Sequence, residues 1–339
     1  MTKNQPAFLD KDFERVFSIK GRRFRLRLET SHNPRDYRKY EDLRQKIWGE
    51  SADHLSGSRN MMCENIFHEG GSLFIGAFTE EADLSGIPGK EHLAGFSYGF
   101  MGIGDKKTGY RDIRNVRFYS QYTAVHQKYR NCGLGLRIKE FQKDVLLNLF
   151  GISVVLCTFD PLTGINARRN VHHLGMEITE YRKSPYGEFG GLLNRKDLPS
   201  DRFFACWDLT KVKKRSTRKK DFFPEHMDVI LSSRRIAVMG KRGRISLEIP
   251  VEMDLRAAGD RIFVEIPLDF YRMLEETDVE DKKVRRIPLD WRASSRKVFM
   301  FLFDRGYQIV DFIRANLEGR KRNLYVLEIK PERSLFNSN

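Results

Sequence analysis

Residues 115–151 read NVRFYSQYTAVHQKYRNCGLGLRIKEFQKDVLLNLFG. The period-two pattern over 115–126 predicts a strand with one face toward a core. From Leu134 to Leu149 the apolar residues step by three or four positions, which predicts a helix, and Gly151 predicts its C-terminal cap. The segment 129–135, YRNCGLG, therefore turns the chain from a strand directly into a helix.

The first backbone N–H groups of a helix have no partner inside it, and the positive end of the helix dipole lies beside them. In this sequence five residues supply such groups, namely Cys132, Gly133, Leu134, Gly135 and Leu136. Glycine at positions 133 and 135 would let a phosphate approach the backbone without meeting a Cβ atom. The segment therefore predicts a cradle for a pyrophosphate.

Two other phosphate-binding loops can be excluded by spacing. The chain contains no Gly-x-x-x-x-Gly-Lys-Ser/Thr motif. The turn also lacks the three-glycine spacing of a dinucleotide fingerprint. ATP and NAD are thus not the ligands that this loop predicts.

Further elements are predicted on both sides of this segment. A strand near residues 23–29 precedes a helix from Ser31 or Asn33 to Trp48. The strands predicted at 72–78 and 92–100 form a hairpin. After the central helix come a covered strand, a short helix and two closing strands, 152–159, 165–174, 176–181 and 203–209. Beyond residue 221 the pattern predicts strands at 244–250 and 261–267 that pair with each other. A helix at 291–304 and strands at 307–313 and 324–329 follow.

This order of elements around Arg130-x-x-Gly133-x-Gly135 resembles the GNAT superfamily of acetyl-CoA-dependent N-acetyltransferases over residues 20–210. It is most similar to an uncharacterised bacterial branch, in segments 129–135, 158–162, 166–167, 174–175, 186–187, 198–202, 264–267, 305–307 and 311–312. The resemblance implies an α/β (α+β) fold with a mixed, mostly antiparallel central sheet flanked by helices. It also implies a GNAT-like domain at 15–210, a basic linker at 211–221 and a smaller C-terminal α/β extension at 222–335.

The resemblance also implies acetyl-CoA as co-substrate and a set of residues that hold it. The pantetheine arm would pair with the long strand, where a bulge would splay it from the next strand and aim one N–H at the thioester carbonyl. The implied CoA-binding residues are Thr123, Ala124, Val125, Arg130, Asn131, Cys132, Gly133, Leu134, Gly135, Leu136 and Asn166.

The catalytic acid and base are not assigned by the sequence. Val171 stands where many members of the family place the tyrosine that protonates the leaving thiolate. Candidates by location are Tyr181, Tyr186 and Glu180, followed by Tyr119, His126, Glu64 and Asp160. Each of these carboxylates has the alternative interpretation of a surface or loop-capping residue.

The positive charge is concentrated in one place. The chain has 61 Lys and Arg against 46 Asp and Glu, a net charge of +15, and residues 211–220 alone hold seven basic residues and no acid. No aromatic residues are interleaved in this run, so a solvated linker is favoured over a nucleic-acid arm. Three functions stay open at this stage: an acetyltransferase acting on a small primary amine, a non-catalytic acyl-CoA-binding module, and a basic nucleic-acid-binding protein.

The remaining patterns predict no metal, no disulfide and no membrane segment. The four cysteines form no Cys-x-x-Cys pair, and His172 and His173 point about 100° apart on a helix. No apolar run of about 20 residues and no signal-peptide block occur, which predicts a cytoplasmic protein. Cys132 is either an activated thiol at a helix start or an inert small side chain. The strands of the extension offer edges through which a homodimer could form.

Overall fold

The computed structural model describes residues 14–31, 33–49, 71–80, 91–187, 190–191, 193–211, 228–253, 255, 259–317 and 319–329. Packing divides the chain into two units. The first is Met1–Cys157 with Asp208–Thr210, and the second is Thr158–Trp207 with Lys211–Asn339. The domain boundaries at residues 210 and 222, which follow from the sequence, remain predictions.

The first unit is built on one sheet. Its strands lie side by side in chain order: β1 (Glu14–Ile19), β2 (Arg22–Leu28), β3 (Ser72–Thr79), β4 (His92–Ile103), β5 (Val116–Val125) and β6 (Val154–Phe159). Each strand from β1 to β4 is antiparallel to the strand that follows it, whereas β5 and β6 are parallel. The last two residues of β6 belong to the second unit.

Two helices of the first unit follow from clear sequence signals. A 3-10 turn at Pro34–Tyr37 leads into α1 (Arg38–Trp48), and the side chain of Asn33 caps the turn by accepting a hydrogen bond from the Arg35 N–H at 3.1 Å. Helix α2 (Leu134–Asn148) buries Leu134, Ile138, Phe141 and Val145 of the predicted stripe, whereas Leu149, its last predicted member, lies just past the helix end and is 41% exposed. Gly151 ends this segment in the left-handed conformation, with φ of +65°, as its capping position requires.

The second unit contains its own sheet and helices. Its first part holds α3 (Gly164–Ala167), which continues as a π-helical turn to His173, and the antiparallel strands β7 (Glu177–Arg182) and β8 (Arg202–Asp208). Its later elements are β9 (Val229–Gly240), β10 (Gly243–Met253), β11 (Arg261–Ile266), α4 (Phe270–Glu276), α5 (Lys282–Asp304), β12 (Tyr307–Leu317) and β13 (Arg320–Ile329).

One predicted pairing is wrong. The strands at 244–250 and 261–267 do not pair with each other, because β9 lies between them in the order β10-β9-β11-β13-β12. A tight turn at Lys241 and Arg242 folds β10 back onto β9, and β11 pairs in parallel with the other edge of β9. Strand β9 was not predicted from the sequence, and α5 begins nine residues before the predicted start.

The fold class is confirmed as α/β with a mixed, mostly antiparallel sheet flanked by helices and a second sheet of five strands. The side-chain alternation predicted for β2 is also confirmed, since Phe24, Leu26 and Leu28 are buried. Within the described residues, none of the helices combines the length and the apolar character that crossing a membrane would require.

Candidate functional site

The centre of strand β5 contains a bulge. Tyr98 of β4 lies opposite Tyr122 and Gly99 lies opposite Ser120, so Gln121 is the extra residue. Such a bulge turns the backbone N–H groups beside it away from the regular ladder. Gly99 makes the bulge possible, because a Cβ atom at this position would lie 2.4 Å from the carbonyl oxygen of Tyr119.

Strands β5 and β6 pair over a short distance. Their registered pairs are Phe118 with Val155 and Tyr119 with Leu156, and the described residues contain no further β5–β6 pair. The bulge at Gln121 comes two residues after the last pair. The edge of β5 that faces β6 therefore has no registered pair where the bulge begins; the splay that the resemblance implies stays a prediction.

Residues 123–125 continue β5 beyond the bulge. Thr123, Ala124 and Val125 pair with Ser97, Phe96 and Gly95 of β4 along one edge of the strand. An extended ligand could add to the other edge by hydrogen bonding to their backbone, in the manner of a further strand. Their assignment to the pantetheine arm remains a prediction.

The loop after β5 exposes a row of backbone N–H groups. The Tyr129 and Arg130 amides donate to His126 and Gln127, at 2.8 and 3.3 Å. The amides of residues 131–135 donate to no acceptor within the described chain. Leu136 differs from the prediction, because its N–H donates to the Gly133 carbonyl at 3.0 Å in the first turn of α2.

The backbone conformation keeps this row of amides accessible. Asn131 and Gly133 have φ of +60° and +96°, the left-handed region in which glycine is favoured. A Cβ atom built on Gly133 would find nothing within 4 Å, so the space in front of the helix start is open. The Cys132 thiol is turned toward Tyr129, whose carbonyl accepts its hydrogen bond at 3.0 Å. The geometry fits a pyrophosphate cradle.

Positive side chains surround the cradle. Burial lowers the pKa of His126, and the positive charges of Lys46, Arg130 and Lys128 lower it further. Arg130 is exposed, and its Nε donates to the Val125 carbonyl at 3.3 Å, which holds the side chain against the end of β5. An anion placed here would relieve the repulsion among these groups.

Four of the predicted acid and base candidates, Tyr181, Tyr186, Glu180 and Asp160, lie in the second unit, and the first and third of these are held by neighbours. Tyr181 donates to Asp201 at 2.6 Å, and burial together with the negative charge of Asp201 raises the pKa of Tyr181. Glu180 is exposed and accepts a hydrogen bond from Arg182 at 2.7 Å.

Tyr186, Asp160 and Asn166 have different surroundings. The Tyr186 hydroxyl is 2.8 Å from that of Thr158, and its ring is 46% exposed. Asp160 is buried and accepts two hydrogen bonds from Arg292, at 2.9 and 2.5 Å. The Asn166 amide donates to Thr163 and accepts from Arg169, at 3.0 and 3.1 Å. The roles predicted for these residues stay predictions.

Of the remaining predicted features, some have ordinary structural contacts and others lie outside the described residues. His172 is 3.0 Å from Asp311, and the described residues contain no group of three side chains that could hold a metal. Glu64 and residues 212–220 of the basic run lie outside the described residues. Tyr119 packs against the Phe100 ring, with centroids 5.2 Å apart. Gly99 was missed as part of the site, although a glycine inside a strand pattern signals a bulge.

Comparison with known proteins gives structural similarity alone. No protein-family model matches the chain, and no curated protein matches it. Solved structures that resemble it are acetyltransferases, and three illustrate the range. NAA60 of Arabidopsis thaliana has 12% identity and a TM-score of 0.40, and the alignment covers 54% of this chain and 98% of that one.

The ribosomal-protein-S5-alanine acetyltransferase of Vibrio fischeri has 12% identity and a TM-score of 0.39, with coverage of 59% and 99%. A protein assigned to the GNAT acetyltransferase family, from Desulfovibrio desulfuricans, has 13% identity and a TM-score of 0.39, with coverage of 55% and 99%. The function proposed below rests on the geometry of this chain.

Proposed function

We propose that this chain is an acyltransferase that moves the acetyl group of acetyl-CoA to a small primary amine, by direct attack in a ternary complex. One observation carries the proposal. Strand β5 bears a bulge in its centre and ends in a loop whose amides at 131–135 have no acceptor within the described chain. These two features support a thioester site and a pyrophosphate site along one strand.

The spacing of these two features suits the cofactor. Five strand residues, from Gln121 to Val125, span about 16 Å, which is comparable to an extended pantetheine arm. Pyrophosphate at the cradle would place the arm along the free edge of β5 and the thioester beside the bulge. An N–H at the bulge would then donate to the thioester carbonyl oxygen as negative charge develops there.

The reaction needs orientation more than covalent help from the protein. The amine nitrogen attacks the carbonyl carbon, a C–N bond forms, the C–S bond breaks, and the CoA thiolate leaves and takes up the proton that the new amide nitrogen loses. The ammonium form must first lose a proton, to a side chain or to a water chain. In the second unit, Asp160 is held in a buried ion pair and Tyr181 donates to Asp201, whereas Tyr186 is 46% exposed and is the more exposed of the two tyrosine candidates there.

Thermal unfolding with and without acetyl-CoA tests the binding step. A ligand that binds only the folded protein stabilises it by about 2.7 kcal/mol at 100 times its Kd, which raises the melting temperature measurably. Gly133→Asp should abolish this rise, because its carboxylate would occupy the cradle. No rise with the wild-type protein at millimolar acetyl-CoA would refute the proposal.

Gly151→Asp is the matched control. Gly151 also has a left-handed backbone, and a Cβ atom there would also meet nothing within 4 Å, but it lies at the opposite end of α2. Both variants place an aspartate in left-handed backbone, so loss of the ligand effect in the first alone identifies the cradle. Release of free CoA thiol over a panel of primary amines then separates an enzyme from a non-catalytic acyl-CoA-binding module.

A further inference from the structure

A buried polar network lies beneath the bulge of β5. Lys139 of α2 is 2% exposed, and its ammonium donates to the Ser120 hydroxyl and to the Gln142 side-chain oxygen, the latter at 3.0 Å. Gln142 in turn donates to the Ser97 hydroxyl at 3.1 Å. Ser97 and Gln142 are fully buried, and Ser120 is 4% exposed.

The network forms hydrogen bonds with the strands on both sides of the bulge. Ser120 is the residue immediately before the extra residue Gln121, and Ser97 of β4 lies opposite Thr123, two residues after it. Hydrogen bonds from a single helix therefore hold the side chain of Ser120 before the bulge and the side chain of Ser97 on the partner strand after it.

Burial of an ammonium group here is costly for stability. Removing such a charge from water carries a penalty of several kcal/mol. A methionine would fill the same volume with no charge to desolvate. A lysine at this position therefore calls for an explanation other than packing.

We propose that Lys139 is a positioning residue that holds the bulge at Gln121 in the geometry required to polarise the thioester carbonyl of acetyl-CoA. This inference rests on the function proposed above. The same helix supplies the cradle, since Lys139 lies about 9 Å along α2 from Gly133. Helix α2 thus fixes the distance between the phosphate site and the carbonyl site.

Lys139→Met tests the inference, with Lys143→Met as its control one turn further along α2. We expect both variants to bind acetyl-CoA within about threefold of the wild type, because the cradle amides are untouched. The kcat of Lys139→Met should fall about 10- to 100-fold, somewhat less than the loss of a whole oxyanion-hole donor. Lys143→Met should keep the wild-type kcat.

The infrared stretch of bound acetyl-CoA labelled with ¹³C at the carbonyl gives a direct readout. The wild-type protein should lower this frequency relative to solution, and Lys139→Met should return it toward the solution value. Ser120→Ala keeps the lysine but cuts its link to β5, so it should produce the same change. It also decides the matter if Lys139→Met does not fold.

Two outcomes would overturn the inference. The first is a carbonyl frequency in Lys139→Met and in Ser120→Ala equal to that of the wild type. The second is an unchanged kcat in these two variants. If the wild-type protein binds no acetyl-CoA, the proposed function fails separately. The role in polarising the thioester is then refuted as well. Amide exchange at residues 120–122 that is at least tenfold faster in Ser120→Ala than in Lys143→Met would then support only the statement that the network holds the bulge.

Discussion

The loop at 131–135 and the buried carboxylates of the second unit use their polar groups in opposite ways. In the first unit, the loop at 131–135 presents backbone amides that have no acceptor within the described chain. In the second unit, the buried carboxylates of Asp160 and Asp201 each accept two hydrogen bonds from an arginine, Arg292 and Arg296. The first arrangement leaves binding capacity for an anion, whereas the second uses its polar capacity within the protein.

The difference shows why charge in the sequence is a poor guide to chemistry here. Burial alone would raise the pKa of Asp201, but hydrogen bonds from Arg296 and Tyr181 hold it below its usual range. Asp201 is therefore an ionised acceptor whose lone pairs are in use. The groups with free capacity are uncharged backbone N–H groups, and glycine is the residue that makes them accessible.

The largest expected effect comes from opening the buried pair in the second unit. Arg292→Met leaves Asp160 with Arg202 at 3.6 Å as its remaining ionic partner. We expect a loss of about 3–5 kcal/mol in the free energy of unfolding, because the carboxylate stays buried without its main partner. Urea denaturation measures this loss.

Two further variants sharpen this prediction. Arg286→Met removes an arginine of the same helix whose side chain is 74% exposed, so it should change stability little. Asp160→Leu combined with Arg292→Met should recover part of the loss, because the carboxylate is removed together with its main partner and only Arg202, 3.6 Å from Asp160, loses an ionic contact. If the single variant lost less than about 1 kcal/mol, Asp160 would not be committed to structure and would return as a candidate base.

The second prediction concerns the bulge. Gly99→Ala brings a Cβ atom to 2.4 Å from the Tyr119 carbonyl oxygen and 2.5 Å from the Phe118 ring. The strands must separate, which should lower stability by about 1–3 kcal/mol and displace the bulge. We also expect acetyl transfer to be lost in a protein that still folds.

Gly102 provides the matched control on the same strand. A Cβ atom at Gly102 would meet nothing within 4 Å, so Gly102→Ala should keep both stability and turnover. Thermal unfolding and thiol release, measured on the two variants together, separate a general effect of alanine in β4 from displacement of the bulge. Equal behaviour of the two variants would contradict the assignment of Gly99.

Features with a local cause were predictable from the sequence. The stripe on α2 and the left-handed Gly133 and Gly151 follow from periodicity and capping within about 20 residues of chain. The loop was found for the same reason. Leu136 was assigned an open amide because the sequence does not show that the first turn tightens onto the Gly133 carbonyl.

Features with a long-range cause were not predictable. Strand β9 intervenes between two strands of similar sequence, and only the turn at Lys241 and Arg242 makes it the neighbour of β10. In the sequence, Lys139 resembles an exposed helix residue. Only the fold brings Ser120 of β5 to it as a hydrogen-bond partner. A pattern along the chain cannot show which charged residues meet a partner more than a hundred positions away, as Asp160 meets Arg292.

The third prediction is smaller and concerns the charge at the cradle. Arg130→Met should weaken acetyl-CoA binding about two- to fivefold, because an exposed cation beside a phosphate contributes little in water. The effect should shrink as salt is raised. Isothermal titration at two salt concentrations measures it, with Arg114→Met as a control for net charge. A hundredfold loss would mean that side-chain charge dominates over the backbone amides.

The smallest expected effect is a change in the protonation of His126. Burial, then Lys46, Arg130 and Lys128, lower the pKa of His126 in the folded protein. The unfolded chain, with a pKa of about 6.5, therefore binds the proton first. The contribution of this group to stability is present above that pH and is lost as the pH falls below it.

Binding of acetyl-CoA should reverse part of this shift. Phosphates in the cradle would offset the positive charges of Arg130 and Lys128, so the pKa of His126 should rise when the ligand is added. The imidazole ¹H resonance, assigned by its absence in His126→Gln, gives the pKa with and without the ligand. A rise shows that the anion lies among these residues. An unchanged value beside saturated binding would place the phosphates elsewhere, because a charge in the cradle must act on the group whose pKa its neighbours already lower.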